Sequence, residues 1–169
     1  MTPSQFCAHT LPLAATAATR YPINPIAAIA QSALETGWGR SVPGNMYFGI
    51  KATPSWTGPT QQLRTTEYVN GQKVTVTSTF RAYHTPQDSF IDYASLITSL
   101  PRYNAATAFT RYDLTTQYIN AIADGGYSTS PAYATTLRSI ADTIKAHIPE
   151  TLLDQAITNA KKKDSSSQP

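Results

Sequence analysis

The chain has three glutamates, Glu35, Glu67 and Glu150, and two of them stand where a carboxylate is out of place. Glu35 falls in the last turn of an expected helix, just before Gly37, Trp38 and Gly39. The negative end of a helix dipole disfavours a carboxylate there. An indole beside it would remove water and disfavour the charge again. Both effects raise the pKa, as a general acid working near neutrality requires. The same position also suits a solvated glutamate at a frayed helix end.

Glu67 can be placed by hairpin register. Asn70 and Gly71, set between two runs rich in Thr and Val, are a strong two-residue turn signal. That turn sets Val69 opposite Gln72 and Glu67 opposite Val74. Glu67 then shares a face with Leu63, Thr65, Val74 and Val76, leaving Arg64, Tyr68 and Lys73 on the other. A carboxylate on the more apolar face of a hairpin needs a reason. A one-residue slip would turn it outward as an edge charge. Two carboxylates in unlike surroundings are what glycoside hydrolysis uses.

The aromatic supply suits a sugar ligand. Trp38, Tyr47, Phe48, Trp56, Tyr127 and Tyr133 fall in or beside expected loops. Flat sugar faces stack on such rings, although loop aromatics also serve as local core. Other chemistries are poorly supplied. His9, His84 and His147 lack metal-ligand spacing, and there is no H-E-x-x-H, G-x-S-x-G, P-loop or G-x-G-x-x-G pattern. Cys7 is the single cysteine, which excludes an internal disulfide framework and a clustered-cysteine zinc site. It is expected as a small buried hydrophobe.

These residues need elements to hold them. Residues 3–20 read as an amphipathic helix that Pro12 should kink or divide. Asn24 and Pro25 open a second helix that Gly37 stops. Residues 37–60 hold five glycines, three prolines and two tryptophans and read as a long functional loop. The hairpin follows. A helix capped by Thr85 and Asp88 buries Phe90, Tyr93, Ala94 and Ile97. Another starts near Asp113 and ends at Gly125 and Gly126. A further helix, capped by Ser130 and opened by Pro131, turns Tyr133, Leu137, Ile140 and Ile144 inward. A short helix after Pro149 is possible in the pattern, and residues 161–169 (KKKDSSSQP) read as a disordered tail.

Composition fits one domain, residues 1–160, of mainly helical α+β class. The 169 residues suffice for a core, and charged residues are only 14%, against roughly 25% in an average globular protein. The net charge of +3 draws +2 from Lys161, Lys162, Lys163 and Asp164, so residues 1–160 carry +1, ten basic against nine acidic. No footprint for nucleic acid appears, and no run approaches the ~20 apolar residues of a membrane span. The N-terminus lacks early basic residues and is interrupted by Pro3, Gln5, His9 and Pro12, so it does not read as a secretory signal.

Several motifs together resemble glycoside hydrolase family 73, the peptidoglycan β-N-acetylglucosaminidases that include a flagellar-rod hydrolase domain and Gram-positive autolysins. They are IAQSALETGWG at 29–39, NMYFGIK at 45–51, WTG at 56–58, Thr66 and Glu67 in the hairpin, FRAY at 80–83 followed by Ser89 and Phe90, and GYSTSPAY at 126–133. The resemblance covers roughly residues 3–145. It implies a lysozyme-like, mainly helical fold with a β-hairpin lobe beside the substrate cleft. It also implies cleavage of the β-1,4 bond between N-acetylglucosamine and N-acetylmuramic acid. By the same resemblance Glu35 is the general acid, Glu67 the second carboxylate and Tyr127 a catalytic-cleft tyrosine. Trp38, Asn45 and Phe48 then shape the cleft floor, with Tyr133 nearby; together with the loop aromatics Tyr47 and Trp56 they are the expected substrate-binding residues, and no metal or other cofactor is expected. Met46 and Tyr47 stand where the family has Asn-Leu, and Ser130 stands where it has Asp. Alternatives are an N-acetylmuramidase or lytic transglycosylase, or a non-catalytic peptidoglycan-binding module. Without a leader, the expected role is an antibacterial effector exported by a secretion apparatus, or a phage lysin, acting in the periplasm or cell wall. The expected partners are glycan strands and a cognate immunity or inhibitor protein, and the expected state is a monomer.

Overall fold

The computed structural model describes residues 1–168. Helix α1 (Pro3–Arg20) starts in a capping box, with Thr2 and Gln5 bonding each other's backbone N–H, and it runs through Pro12 without dividing. Helix α2 (Pro25–Thr36) is the central element. Ten of its twelve residues are buried, because α1, α4 (Thr115–Asp124) and α5 (Tyr133–His147) pack around it. Helix α3 (Pro86–Ser99) has the expected Thr85 and Asp88 capping box and buries Phe90, Tyr93, Ala94 and Ile97. Three 3-10 turns, Pro43–Asn45, Pro101–Ala108 and Tyr112–Leu114, complete the connections.

Strands β1 (Thr60–Val69) and β2 (Gln72–Arg81) form a two-stranded antiparallel sheet. Asn70 and Gly71 both have positive φ, 52° and 76°, which is why this dipeptide makes the tight turn. The register is the expected one, with Val69 opposite Gln72 and Glu67 opposite Val74. Along β1, Leu63, Thr65 and Glu67 are half-buried while Gln62, Arg64 and Thr66 are exposed. The edge at 50–52 adds to β2, since the Ala52 N–H donates to Thr79 and the Arg81 N–H to Ile50. A small second core of Met46, Phe80 and Tyr83 seals this base.

Two expectations need correction. Helix α5 begins at Tyr133, and no side chain caps it. The Tyr133 N–H bonds the Ser130 carbonyl, so 130–133 is a turn, and Ser130 lines the cleft instead of capping. The tail expected to be disordered is largely helical. Helix α6 runs Glu150–Ser166, packs against α1 through buried Leu153 and Ala160, and pairs Asp164 with Arg20 at 3.0 Å. Pro169 lies outside the described residues. Among the described residues no helix is long and apolar enough to cross a membrane.

Candidate active site

Glu35 owes its place to the way α2 ends. Asn24 caps the start by accepting from the Ala27 N–H, and Gly37 ends the helix in the left-handed region. Thr36 locks the exit: its hydroxyl donates to the Ser32 carbonyl at 2.6 Å and accepts from the Gly39 N–H at 2.9 Å. Glu35 therefore emerges at a fixed point on a cleft of about 930 Å³ that runs between the helical body and the hairpin. The residue is exposed where it opens onto the cleft, while protein packs closely around its carboxyl. Burial pushes its pKa up to about 7. Among the described residues no basic side chain pairs with it. The backbone of Gly49 lies against it, so close that a Cβ there would stand 2.9 Å from Glu35 Oε2. Gly49 also has φ of +59°, so both backbone conformation and space require glycine.

Glu67 shares the cleft in a different environment. Lys51, from the 50–52 edge, brings Nζ to 2.6 Å from Glu67 Oε1. The Thr129 hydroxyl donates to Glu67 Oε2 at 3.4 Å while accepting from the Tyr68 N–H at 3.1 Å. The hairpin is thus tied to the 126–130 loop, which forms another part of the cleft.

Tyr127 lines the cleft as well. Its hydroxyl donates to the Phe48 carbonyl at 2.6 Å, tying this loop to the segment that carries Gly49. Burial holds its pKa well above the ordinary tyrosine value, and Tyr133 and the charge of Glu35 add to the effect. The phenol stays protonated and serves as a donor.

The other six residues expected to meet substrate do not line the cleft. Tyr47 and Phe48 are core: the Tyr47 hydroxyl meets His9, and the Phe48 ring stacks on Tyr93 at 4.1 Å. Tyr133 is buried, stacks on Tyr127 and accepts from Gln31. Trp38 turns onto Phe6, edge to face at 5.7 Å. The Asn45 amide donates to the Tyr83 carbonyl. Trp56 donates to the Pro59 carbonyl and covers the Arg81 guanidinium at 4.7 Å. These side chains build the cleft from behind, because a ring in a loop finds more apolar contact against the core than against water. Cys7 is buried, and burial raises its thiol to about 11, so it is an inert core residue.

Sequence reasoning passed over Lys51, Thr129 and the Arg81 group. One Arg81 nitrogen, Nη1, donates to both Asp92 oxygens at 3.1 Å, and the Tyr83 hydroxyl donates to the same carboxylate at 2.6 Å, pinning the hairpin base to α3. Lys51 closes the NMYFGIK run, and Arg81 and Tyr83 lie in FRAY, so the motifs contained them. Their partners are distant in sequence, and no spacing pattern reveals them. Among the described residues no group of three or more His, Cys, Asp and Glu could hold a metal ion.

A groove between a helical body and a two-stranded lobe carries two carboxyl groups in unlike surroundings, Glu35 raised by burial and Glu67 paired with Lys51. The family model Glucosaminidase, described as mannosyl-glycoprotein endo-β-N-acetylglucosaminidase, matches residues 11–146, and the chain belongs to that family, glycoside hydrolase family 73. It is 39% identical over 125 residues to the peptidoglycan hydrolase FlgJ of Salmonella typhimurium, covering 70% of this chain and 39% of that protein. The chain spans about two-fifths of the length of the curated relatives it matches first. A peptidoglycan hydrolase mutant from Sphingomonas sp. A1 superposes with a TM-score of 0.74 at 36% identity, over 92% of this chain and 99% of that one. The glycoside hydrolase domain of Salmonella typhimurium FlgJ, C-terminally truncated, gives 0.70 at 35% identity, over 85% and 98%.

Proposed function

We propose that this chain is a peptidoglycan hydrolase that cuts the β-1,4 bond between N-acetylglucosamine and N-acetylmuramic acid, as an endo-β-N-acetylglucosaminidase. The observation that carries the reading is Glu35: a carboxyl with no basic partner among the described residues, pushed up to about 7, on the same cleft as the ion-paired Glu67. Glu35 gives its proton to the glycosidic oxygen as the bond breaks. Glu67 supplies the second carboxylate, and Tyr127, whose hydroxyl donates to the Phe48 carbonyl, fixes the loop beside the sugar. The anomer of the first-formed product reads Glu67's part. Inversion means activated water, whereas retention means covalent capture or attack by the substrate's N-acetyl group.

The test is a digest of purified sacculi, reduced with borohydride and analysed by mass spectrometry. Reducing-end N-acetylglucosamine is expected. Reducing-end N-acetylmuramic acid or its anhydro form would contradict the assigned bond.

The reading extends to a role as a secreted antibacterial effector or phage lysin acting in the periplasm or cell wall. A cleft open to solvent is also a surface that a cognate immunity or inhibitor protein can plug. Expression with an added periplasmic leader should lyse cells while cytoplasmic expression should not; equal survival would remove this role.

A further inference from the structure

Four cationic side chains line the cleft: Lys51, Arg64, Arg81 and Arg102. Lys51 is engaged by Glu67 and Arg81 by Asp92. Arg64 extends from an exposed strand position without an aromatic seat. Arg102 is different. It is exposed, and among the described residues it forms no ion pair. It follows Pro101 at the start of the 3-10 turn, and its guanidinium carbon sits 4.7 Å from the centroid of the Tyr103 ring. Tyr103 is only 1% exposed, so this seat is rigid. A guanidinium held over a ring face is positioned without using any N–H donor, and its planar fork matches a carboxylate.

The proposal rests on the peptidoglycan reading above. In that polymer the two sugars differ by one substituent. N-acetylmuramic acid carries a lactyl ether that ends in a carboxyl group, either free or amide-linked to a peptide with carboxylates of its own. The cleft has a cation seated on a ring face, with no carboxylate among the described residues paired to it. We propose that Arg102 is a specificity-determining residue that binds a carboxylate borne by the muramic acid side of the strand, and so favours strands that carry such groups over neutral ones.

Binding tests this apart from catalysis. In a Glu35→Gln background, affinity is measured for peptide-free glycan strands with free lactyl carboxylates, for the same strands converted to methylamides, and for peptide-bearing strands. Adding Arg102→Gln should weaken binding of carboxylate-bearing strands about tenfold and leave methylamide strands unchanged. Arg102→Lys, which keeps charge but loses the fork, should fall between. Weakening on the peptide-free strands names the lactyl carboxylate; weakening confined to peptide-bearing strands names the peptide. Equal weakening on methylamide strands, or no weakening on any strand, overturns the proposal, as does failure of the Glu35→Gln protein to bind carboxylate-bearing strands. A failure of the hydrolase reading shows separately: the unmutated chain would bind the strands and release no new reducing ends.

Discussion

Lys51 Nζ stands 2.6 Å from Glu67 Oε1, and the two residues arrive from different parts of the chain. Lys51 comes from the edge at 50–52 that pairs with the base of β2, and Glu67 from β1 close to the hairpin turn. Among the described residues Glu35 receives no such cation. One carboxylate is neutralised by a partner, while the other is left to burial, which favours its protonated form. Unlike surroundings of this kind let two identical groups take opposite roles in acid–base chemistry.

Removing the partner should therefore harm turnover more than stability. Lys51→Met is expected to lower the rate roughly ten- to hundredfold by letting Glu67 wander. The pair is half-exposed, so the fold should lose no more than about 1 kcal/mol. Glu67→Gln should lose activity less completely than Glu35→Gln, because the amide can keep the Thr129 contact. Steady-state rates on solubilised strands, beside urea unfolding, check both statements. Equal losses for Glu67→Gln and Glu35→Gln at unchanged stability would refute the ranking.

Gly49→Ala places a methyl group 2.9 Å from Glu35 Oε2 in a left-handed backbone. The conformation alone costs about 1–2 kcal/mol. The variant should be less stable by at least that much. Its activity should also drop beyond what the unfolded fraction explains, because the acid must move. A protein that melts and turns over like the parent would show that Gly49 does not confine Glu35.

The acid also leaves a mark on stability. Its pKa is about 7 in the folded chain against 4.5 for an ordinary glutamate, so the folded state holds the proton more tightly. The contribution is fully present below 4.5, is lost as pH rises from there through about 7, and stays lost above. The whole displacement would amount to ~3 kcal/mol, but Glu35 is exposed on the cleft side, so ~1 kcal/mol is the expected size. Glu35→Gln should accordingly stabilise the protein by ~1 kcal/mol at pH 8 and by almost nothing at pH 4, measured by denaturant unfolding. Equal stability of the two proteins at pH 8 would contradict the burial argument.

Local signals carried far in this sequence, and long-range ones did not. Asn24, Pro25 and Gly37 bound α2 to the residue, and Asn70 with Gly71 set the hairpin register that turns Glu67 toward the cleft. Those features rest on neighbouring backbone and need nothing distant. The aromatics were harder to place. Whether Tyr47, Phe48 or Tyr133 faces sugar or core depends on what lies behind the loop, and α3 and α2 supply that from elsewhere in the chain. Residues 161–166 look like a polar tail by composition, yet Asp164 meets Arg20 across 144 positions and the helix extends. Arg102 belongs to the same group, since its seat on Tyr103 follows from neighbours while its presence on the cleft follows from the whole fold.

The proton on Glu35 is open to direct observation by a carbon-13 NMR titration of its carboxyl in the intact chain. The account predicts a midpoint near 7, matched by loss of hydrolysis as pH rises through the same value, with Glu35→Gln slower by roughly 10³-fold below that midpoint and the gap closing above it. A midpoint near 4.5, or a Glu35→Gln protein that cuts strands as fast as the parent, would contradict it.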